Sequence, residues 1–244
     1  MRLHRICRMT GNGAGNGPVE GGMKRKKRSA VMFLCALFTC APAGSAADGK
    51  KQDAGLWAFA GVSPKPFGGK WQMLYGLEYR SREHFRETSL WCVSVNVNYI
   101  FNSFIQIGTG YEFFMNREAN GRFRPEYRYY PEAILAFGQG AFSTSLRSRV
   151  MNTFTRAGDP HWEGRNRLKA SYAVRGTGLK PFVAAEPYHG IYPEKHRFRK
   201  IRYFAGCSIA LNSRQKFDVY YLREDYLHDS FLRNVIQIEY NFNF

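Results

Sequence analysis

The last fourteen residues of the chain read FLRNVIQIEYNFNF (231–244). From the end inwards, every second side chain is apolar or aromatic, and the side chains between them are mostly polar. A period of two indicates a strand with one apolar and one polar face. Because chain termini are usually poorly ordered, an aromatic-ended strand is unusual at this position. The apolar face comprises Phe244, Phe242, Tyr240, Ile238 and Ile236.

The same alternation runs through the chain from about residue 55 onwards. In WCVSVNVNYIF (91–101), for example, Trp91 and Val93 alternate with Cys92 and Ser94. No stretch of this part of the chain shows the i, i+3, i+4, i+7 apolar spacing of a helix over three turns. We therefore predict an all-β chain with eleven candidate strands. They cover residues 55–62, 71–80, 91–101, 104–113, 125–137, 142–151, 164–174, 180–188, 199–211, 215–225 and 231–243.

The predicted connections alternate between short turns and longer polar segments. Such alternation is typical of an antiparallel up-and-down outer-membrane barrel, which has short periplasmic turns and longer outer loops. We predict a transmembrane barrel of this kind with 10–12 strands. The short turns cover 101–103, 138–140, 176–178 and 212–214. The longer segments cover 116–123, 156–164, 189–198 and 225–230.

Eleven candidates leave the parity of the barrel open, because bacterial single-chain barrels normally have an even number of strands. Either segment 55–62 lies outside the barrel wall, or a twelfth strand is present. Prolines at positions 125, 131, 181 and 187 also fall inside candidate strands, where each removes one donor from the hydrogen-bond ladder.

The first 46 residues are predicted to be a presequence. A cationic segment (24–28), an apolar run (30–41) and small residues (44–48) follow one another in the order of a cleaved signal peptide. The apolar run is shorter than the roughly 20 residues that a transmembrane helix needs. We predict a signal peptide over 23–46, an upstream extension over 1–22, and one barrel domain over 47–244. The protein is then exported.

The net charge of +17 suggests a nucleic-acid ligand at first sight. Part of that charge lies in the presequence, however, and the remaining basic residues are spread over alternating strands without a recognition motif. We predict no nucleic-acid partner and no cofactor. The basic residues of the longer connections suit the phosphates of lipopolysaccharide. These residues are Arg117, Arg122, Arg124, Lys195, Arg197, Arg199 and Lys200.

A strand-only chain enters a bilayer only as a closed barrel, because lipid satisfies no backbone polar group. The competing interpretation is a soluble exported sandwich or lipocalin-like barrel, in which the apolar face points inward. Strand length favours the membrane, since five or six residues are usual elsewhere. So does the terminus, because Phe244, Phe242 and Tyr240 resemble the signal that the barrel-assembly machinery recognises. Predicted partners are therefore that machinery during insertion, outer-membrane lipids and lipopolysaccharide.

The polar faces of the strands carry many charges, which a membrane barrel would turn towards its lumen. Two explanations stay open: a polarised lumen that passes small anionic solutes, or ion pairs that fill a narrow barrel. The predicted basic lumen residues are Arg147, Arg149, Arg165, Arg167, Lys169, Arg202 and Arg233. The predicted acidic ones are Glu78, Glu112, Glu186, Asp218 and Glu239.

The residues for catalysis are sparse. The cluster His228-Asp229-Ser230 suggests a lipid-modifying barrel enzyme of the lipid A deacylase or phospholipase type, but a triad needs base and hydroxyl within hydrogen-bond reach. We predict no catalytic residues and keep this enzyme as the alternative. No metal-binding spacing is present. Cys92 and Cys207 fall on opposite strand faces, which argues against a disulfide between them.

Several segments resemble the family called domain of unknown function 2490, which is found mainly in Bacteroidetes and is taken to form outer-membrane barrels. The resemblance lies in RNRLKASYAV (165–174), LKPFVAAEPY (179–188) and RYFAGCSIALNSRQKFDVYYLRE (202–224), together with GLWAFAGV (55–62), KWQMLYGLEYR (70–80) and NVIQIEYNFNF (234–244). It implies a barrel fold and brings no established activity. The recurring residues are Arg165, Arg167, Pro181 and Glu186.

Overall fold

The computed structural model describes residues 50–65, 69–155, 158–193 and 197–244, apart from the side chain of residue 159. The predicted presequence lies outside the described residues, and so does Lys195. The described residues contain eleven strands. Among them, no helix is long and apolar enough to cross a membrane. The strands are β1 (Lys51–Ser63), β2 (Trp71–Arg82), β3 (Glu87–Ile100), β4 (Ile105–Arg117), β5 (Phe123–Gln139), β6 (Phe142–Thr155), β7 (Gly158–Tyr172), β8 (Leu179–Tyr192), β9 (Arg197–Ala210), β10 (Gln215–Tyr226) and β11 (Phe231–Asn243).

The strands form one closed barrel in which each pairs with its neighbours in the chain. Consecutive strands are antiparallel, and the barrel closes through a parallel pair between β1 and β11. This seam follows from the odd count, because the first and last strands of an eleven-stranded meander run in the same direction. The seam covers the whole of β1, from Lys51 opposite Phe231 to Ser63 opposite Asn243. Segment 55–62 is therefore part of the wall, and the described residues contain no twelfth strand.

All eleven candidate strands are confirmed, and most are longer than predicted. The barrel has two ends, which we call the C-terminal rim, where β11 ends, and the N-terminal rim, where β1 begins. The segments predicted as longer connections meet at the N-terminal rim, where strands occupy much of them: β7 already begins at Gly158, and β9 at Arg197. Two connections that remain at the N-terminal rim cover residues 118–122 and 227–230. Neither is longer than the connection 173–178 at the C-terminal rim. The predicted contrast in loop length is therefore wrong, because ladder pairing continues past the point where apolar alternation stops.

Prolines are accommodated in the wall by local gaps in strand pairing. The β5–β6 register runs to Tyr129 and resumes at Glu132, skipping Pro131. The β7–β8 register is likewise interrupted opposite Pro187. Proline lacks the backbone N–H that the ladder needs, so pairing is lost at these points without breaking the strand.

The outer face of the barrel is apolar along its middle and aromatic towards both rims. Exposed aliphatic side chains form the middle band: Leu77, Val93, Ile107, Leu146, Val150, Leu168, Val183 and Ile236. Exposed aromatic side chains near the C-terminal rim are Trp71, Phe101, Phe104, Phe137, Phe142, Tyr172 and Phe244. Those towards the N-terminal rim are Phe85, Trp91, Phe123, Tyr129, Tyr192, Phe198 and Tyr203.

The barrel interior is filled by charged side chains and by an apolar cluster near the seam. The cluster contains Trp57, Phe182, Phe204, Tyr220, Leu222 and Val235. Inward glycines make room for aromatic rings, since a Cβ at Gly110 would overlap the ring of Tyr130 and one at Gly76 the ring of Phe59. The inward face is therefore less uniformly polar than the alternation predicts.

Candidate functional site

The charged residues of the interior are arranged as ion-pair networks that cross from strand to strand. One network is centred on Glu186 of β8, whose side chain is 1% exposed. Arg167 of β7 donates Nε and Nη2 to the two carboxylate oxygens, each at 3.1 Å. Arg147 of β6 donates Nη2 at 3.0 Å, and the hydroxyl of Tyr188 donates at 3.2 Å. A single carboxylate therefore joins three strands.

A second network is centred on Glu224 of β10, which is also fully buried. Lys200 and Arg202 of β9 donate to its Oε1 atom at 2.8 and 2.7 Å. Arg233 of β11 lies 3.4 Å from Oε2 and donates to Asp53 of β1 at 3.1 Å. Arg202 also lies 3.9 Å from Glu186, so it links the two networks. The second network bridges the parallel seam, where β1 meets β11.

Two inward pairs repeat one local pattern, a glutamate two residues before an arginine on the same strand. Arg80 donates Nε and Nη2 to Glu78 at 2.8 and 3.1 Å. Arg165 donates the same two nitrogens to Glu163 at 2.9 and 2.6 Å. Residues two apart share a strand face, so each strand supplies both members of its pair. The Glu-x-Arg spacing is a sequence signal that would have found Arg80 and Glu163, which were not among the predicted lumen residues.

Aromatic faces support the same guanidinium groups. Arg80 lies 4.1 Å from the ring centre of Trp57, and Arg202 lies 4.9 Å from that ring. Arg165, Lys200 and Arg202 lie 4.4, 4.7 and 4.8 Å from the ring centre of Tyr188. A cation over an aromatic face is attracted by the ring's negative quadrupole. The two rings therefore help to hold four cations close together, although Lys200 and Arg202 share one carboxylate.

The described residues of the barrel interior line a smaller and a larger cavity. The smaller cavity, which we call the basic chamber, has a volume of about 240 Å³. Glu163 is the one acidic residue among the described residues that line it. The basic residues that line it are Arg80, Arg128, Arg165, Arg199, Lys200 and Arg202.

The larger cavity, which we call the wide cavity, has a volume of about 460 Å³ and extends to Ser63 and Asn243 near the C-terminal rim. Its walls include Arg147, Arg149 and Arg167. Four arginines line both cavities and mark the level at which the cavities meet. We call them the waist arginines: Arg80, Arg128, Arg165 and Arg202.

The other predicted lumen residues are also placed along the interior. Arg149 donates to Glu132 at 2.7 Å and Arg128 donates to Glu112 at 3.0 Å. Lys169 lies 3.8 Å from the ring centre of Phe182. Nearer the C-terminal rim, Asp218 pairs with Lys216 at 2.7 Å, and Glu239 accepts hydrogen bonds from Tyr220 and Gln237.

Lys200 was grouped with the basic residues of the outer loops, although it also falls within the predicted strand 199–211, and the grouping with the loops is wrong. It lies on β9 and points inward to Glu224. Trp57, whose ring contacts Arg80 and Arg202, was not predicted as an interior residue. The reason is that the sequence left open whether segment 55–62 belongs to the barrel wall.

The residues considered for catalysis do not form a triad in the described part of the chain. The Nε2 atom of His228 lies 2.8 Å from the carbonyl oxygen of Phe198. No hydrogen bond joins His228 to Ser230 among the described residues, and no group of three potential metal ligands occurs among them. Cys92 and Cys207 are both buried free thiols.

A family model described as protein of unknown function (DUF2490) matches residues 54–228. The chain belongs to this family. The DUF2490 match runs from β1 to the connection after β10, so it includes Glu186, Glu224 and all four waist arginines. The predicted family resemblance is therefore confirmed. Comparisons with curated proteins and with solved structures gave no match.

Proposed function

We propose that the protein is an integral β-barrel of the outer membrane of a Gram-negative bacterium, with a structural role and no catalysis. One observation carries this proposal: the closed barrel has its ion pairs inside and its exposed aliphatic side chains outside. A soluble barrel has the opposite arrangement, since water favours charges at the surface. An apolar outer band between aromatic girdles is typical of outer-membrane barrels.

The height of the apolar band supports the same proposal. On β7 the band runs from Trp162, whose ring contacts that of the exposed Tyr129, to Tyr172. Ten residue steps of about 3.4 Å on a strand tilted by about 40° give a height of roughly 26 Å. That height matches the apolar band of about 25 Å in such barrels. The polar side chains of Ser148 and Asn166 fall within the band and bond to each other at 2.7 Å.

The filled interior favours a structural role over free diffusion of solutes. Glu186, Glu224 and Tyr188 are at most 1% exposed, and Trp57 is 3% exposed. These side chains occupy the middle of the barrel, as is common in small barrels. The passage of small anions is a second candidate function. Its support is the presence of the waist arginines in the walls of both cavities, since rings of arginine select anions in pores.

The membrane assignment is tested by cell fractionation of the full chain with an alkaline carbonate wash. The proposal expects the protein to stay in the outer-membrane pellet and to migrate faster on a gel before heating than after it. Release into the carbonate supernatant would contradict the proposal and favour a soluble exported barrel.

The choice between the structural role and anion passage is tested by recording from the purified protein in planar bilayers. The filled interior predicts no conductance steps. Anion-selective steps that disappear on Arg165→Gln substitution would instead establish passage through the level of the waist arginines.

A further inference from the structure

The lining of the basic chamber contains more basic than acidic side chains. Six basic residues and one acidic residue, Glu163, are found among its described lining residues. The carboxylates that pair with Arg80, Arg128 and Lys200 do not line the chamber. These carboxylates lie behind their basic partners, so the surface that faces the chamber is mostly composed of cationic groups.

Three of the waist arginines keep one guanidinium nitrogen uncommitted. Arg80 and Arg165 each use Nε and Nη2 for their glutamate. Arg128 uses Nε for Thr153 and Nη1 for Glu112. The remaining nitrogens, Nη1 of Arg80, Nη2 of Arg128 and Nη1 of Arg165, have no hydrogen-bond partner among the described residues. The three arginines come from β2, β5 and β7 and therefore reach the chamber from different sides of the barrel.

The groups that fix these arginines also fix their orientation. Each guanidinium has one edge on a carboxylate and one face on an aromatic ring: Trp57 for Arg80, Phe114 for Arg128 and Tyr188 for Arg165. A planar guanidinium held in this way offers its remaining N–H groups in a defined direction. Little side-chain entropy is then lost when an anion binds, which favours affinity.

We propose that the basic chamber binds a small oxyanion of the phosphate class. Phosphate offers several acceptor oxygens to donors converging from different sides, and arginine is well matched to it. The chamber volume of about 240 Å³ lies below the range of ~300–1,000 Å³ usual for drug-sized ligands. It therefore suits free phosphate or a small phosphate ester. The phosphoryl group of a lipid headgroup has the same chemistry, but its acyl chains would have to lie inside a charged barrel.

This inference rests on the second candidate function, the passage of small anions, and names the class of anion. The experiment tests anion binding separately from that function. The full-length mature barrel, in a phosphate-free, uncharged detergent, is titrated with inorganic phosphate by calorimetry. The test variant is Arg165→Gln with Glu163→Gln, which removes a charge pair without changing the net charge. The matched control is Arg149→Gln with Glu132→Gln. Arg149 also lies over a tyrosine ring, at 4.4 Å, and pairs with a buried glutamate, but it lines only the wide cavity.

We expect the wild type and the control to bind phosphate and the test variant to bind it at least about tenfold more weakly, which equals about 1.4 kcal/mol. If the test variant does not fold, Lys200→Met provides the comparison, because Glu224 keeps Arg202 and Arg233 as partners. Lipopolysaccharide is added in a competing arm. Competition that is lost in the test variant would support the phosphoryl site and assign its source to lipid.

Absence of phosphate binding to the wild type would overturn the inference, and so would equal weakening in the test and control variants. Neither result would affect the membrane assignment, because a barrel that resists carbonate extraction need not bind phosphate. Conversely, if carbonate releases the protein and the protein binds phosphate, the result would support phosphate binding in the basic chamber and refute the outer-membrane proposal.

Discussion

Neutralising Glu186 is expected to destabilise the barrel more than any comparable change at its rims. The Glu186→Gln substitution preserves shape but leaves Arg147 and Arg167 without a carboxylate, since Glu186 is the acidic partner of both among the described residues. Three charge-assisted hydrogen bonds of 3.0 to 3.1 Å are weakened at once. Removing one member of a buried pair typically costs about 3–5 kcal/mol.

The lower part of that range is the appropriate one here. The Arg147 and Arg167 side chains are 23% and 26% exposed, and both line the wide cavity. Water in that cavity would solvate part of the unpaired charge, so we expect a loss of about 3 kcal/mol in the free energy of unfolding. Adding Arg167→Gln to Glu186→Gln should cost less than the sum of the two single changes, because the two residues interact directly.

The assay is urea unfolding of the refolded protein in detergent micelles, followed by tryptophan fluorescence. The control is Glu87→Gln at the N-terminal rim, where Arg82 and Glu87 lie 3.4 Å apart and the glutamate side chain is 41% exposed. We expect this exposed pair to contribute less than about 1 kcal/mol. If Glu186→Gln unfolds within about 0.5 kcal/mol of the wild type, a spread consistent with surface substitutions, the argument that the interior networks hold the barrel together is refuted.

Three further changes test other parts of the structure. Leu168→Arg places a charge in the middle of the outer band, where Leu168 is 59% exposed; it should cost about 2–4 kcal/mol in lipid, and an unchanged unfolding midpoint in vesicles would contradict a lipid-facing position. Cys92 and Cys207 are each 3% exposed, so a water-soluble maleimide should modify neither thiol in the folded barrel and both after unfolding in urea, as mass spectrometry would show. Phe244 donates its N–H to Ser63 at 2.9 Å and packs against Phe242; its deletion should lower the amount of heat-modifiable barrel in cells, whereas Phe101→Ala at the same rim should not.

The strands could be predicted from the sequence because side-chain alternation is a local property. The period of two located all eleven, including β11 with its aromatic end. The odd count could not be settled in the same way, because only the pairing of β1 with β11, far apart in the chain, shows how the sheet closes. Strand ends were also missed, since Gly158 and Pro160 are typical turn residues that here lie on β7, where Gly158 pairs with Thr155 of β6.

The charged faces could be predicted, but the partners could not. Alternation places Arg167 and Glu186 on inward faces without specifying that they are opposite each other. Their contact depends on the β7–β8 connection and on the register around Pro187. The waist arginines likewise come from four different strands, so their convergence is a property of the closed barrel. The local Glu-x-Arg pairs are the exception, because both members share one strand.

The most direct test of the account is contact between the outer face and acyl chains. The chain contains Trp57, Trp71, Trp91 and Trp162, so two single-tryptophan proteins are made: one keeps only Trp57, and the other replaces all four with phenylalanine and carries Val93→Trp. Val93 is 58% exposed on the outer face and Trp57 is 3% exposed inside the barrel. Both proteins are refolded into vesicles of lipids with brominated acyl chains, which quench tryptophan on contact. The account predicts strong quenching in the Val93→Trp protein and little in the Trp57 protein. Quenching of the Val93→Trp protein by aqueous iodide instead of brominated lipid would contradict it.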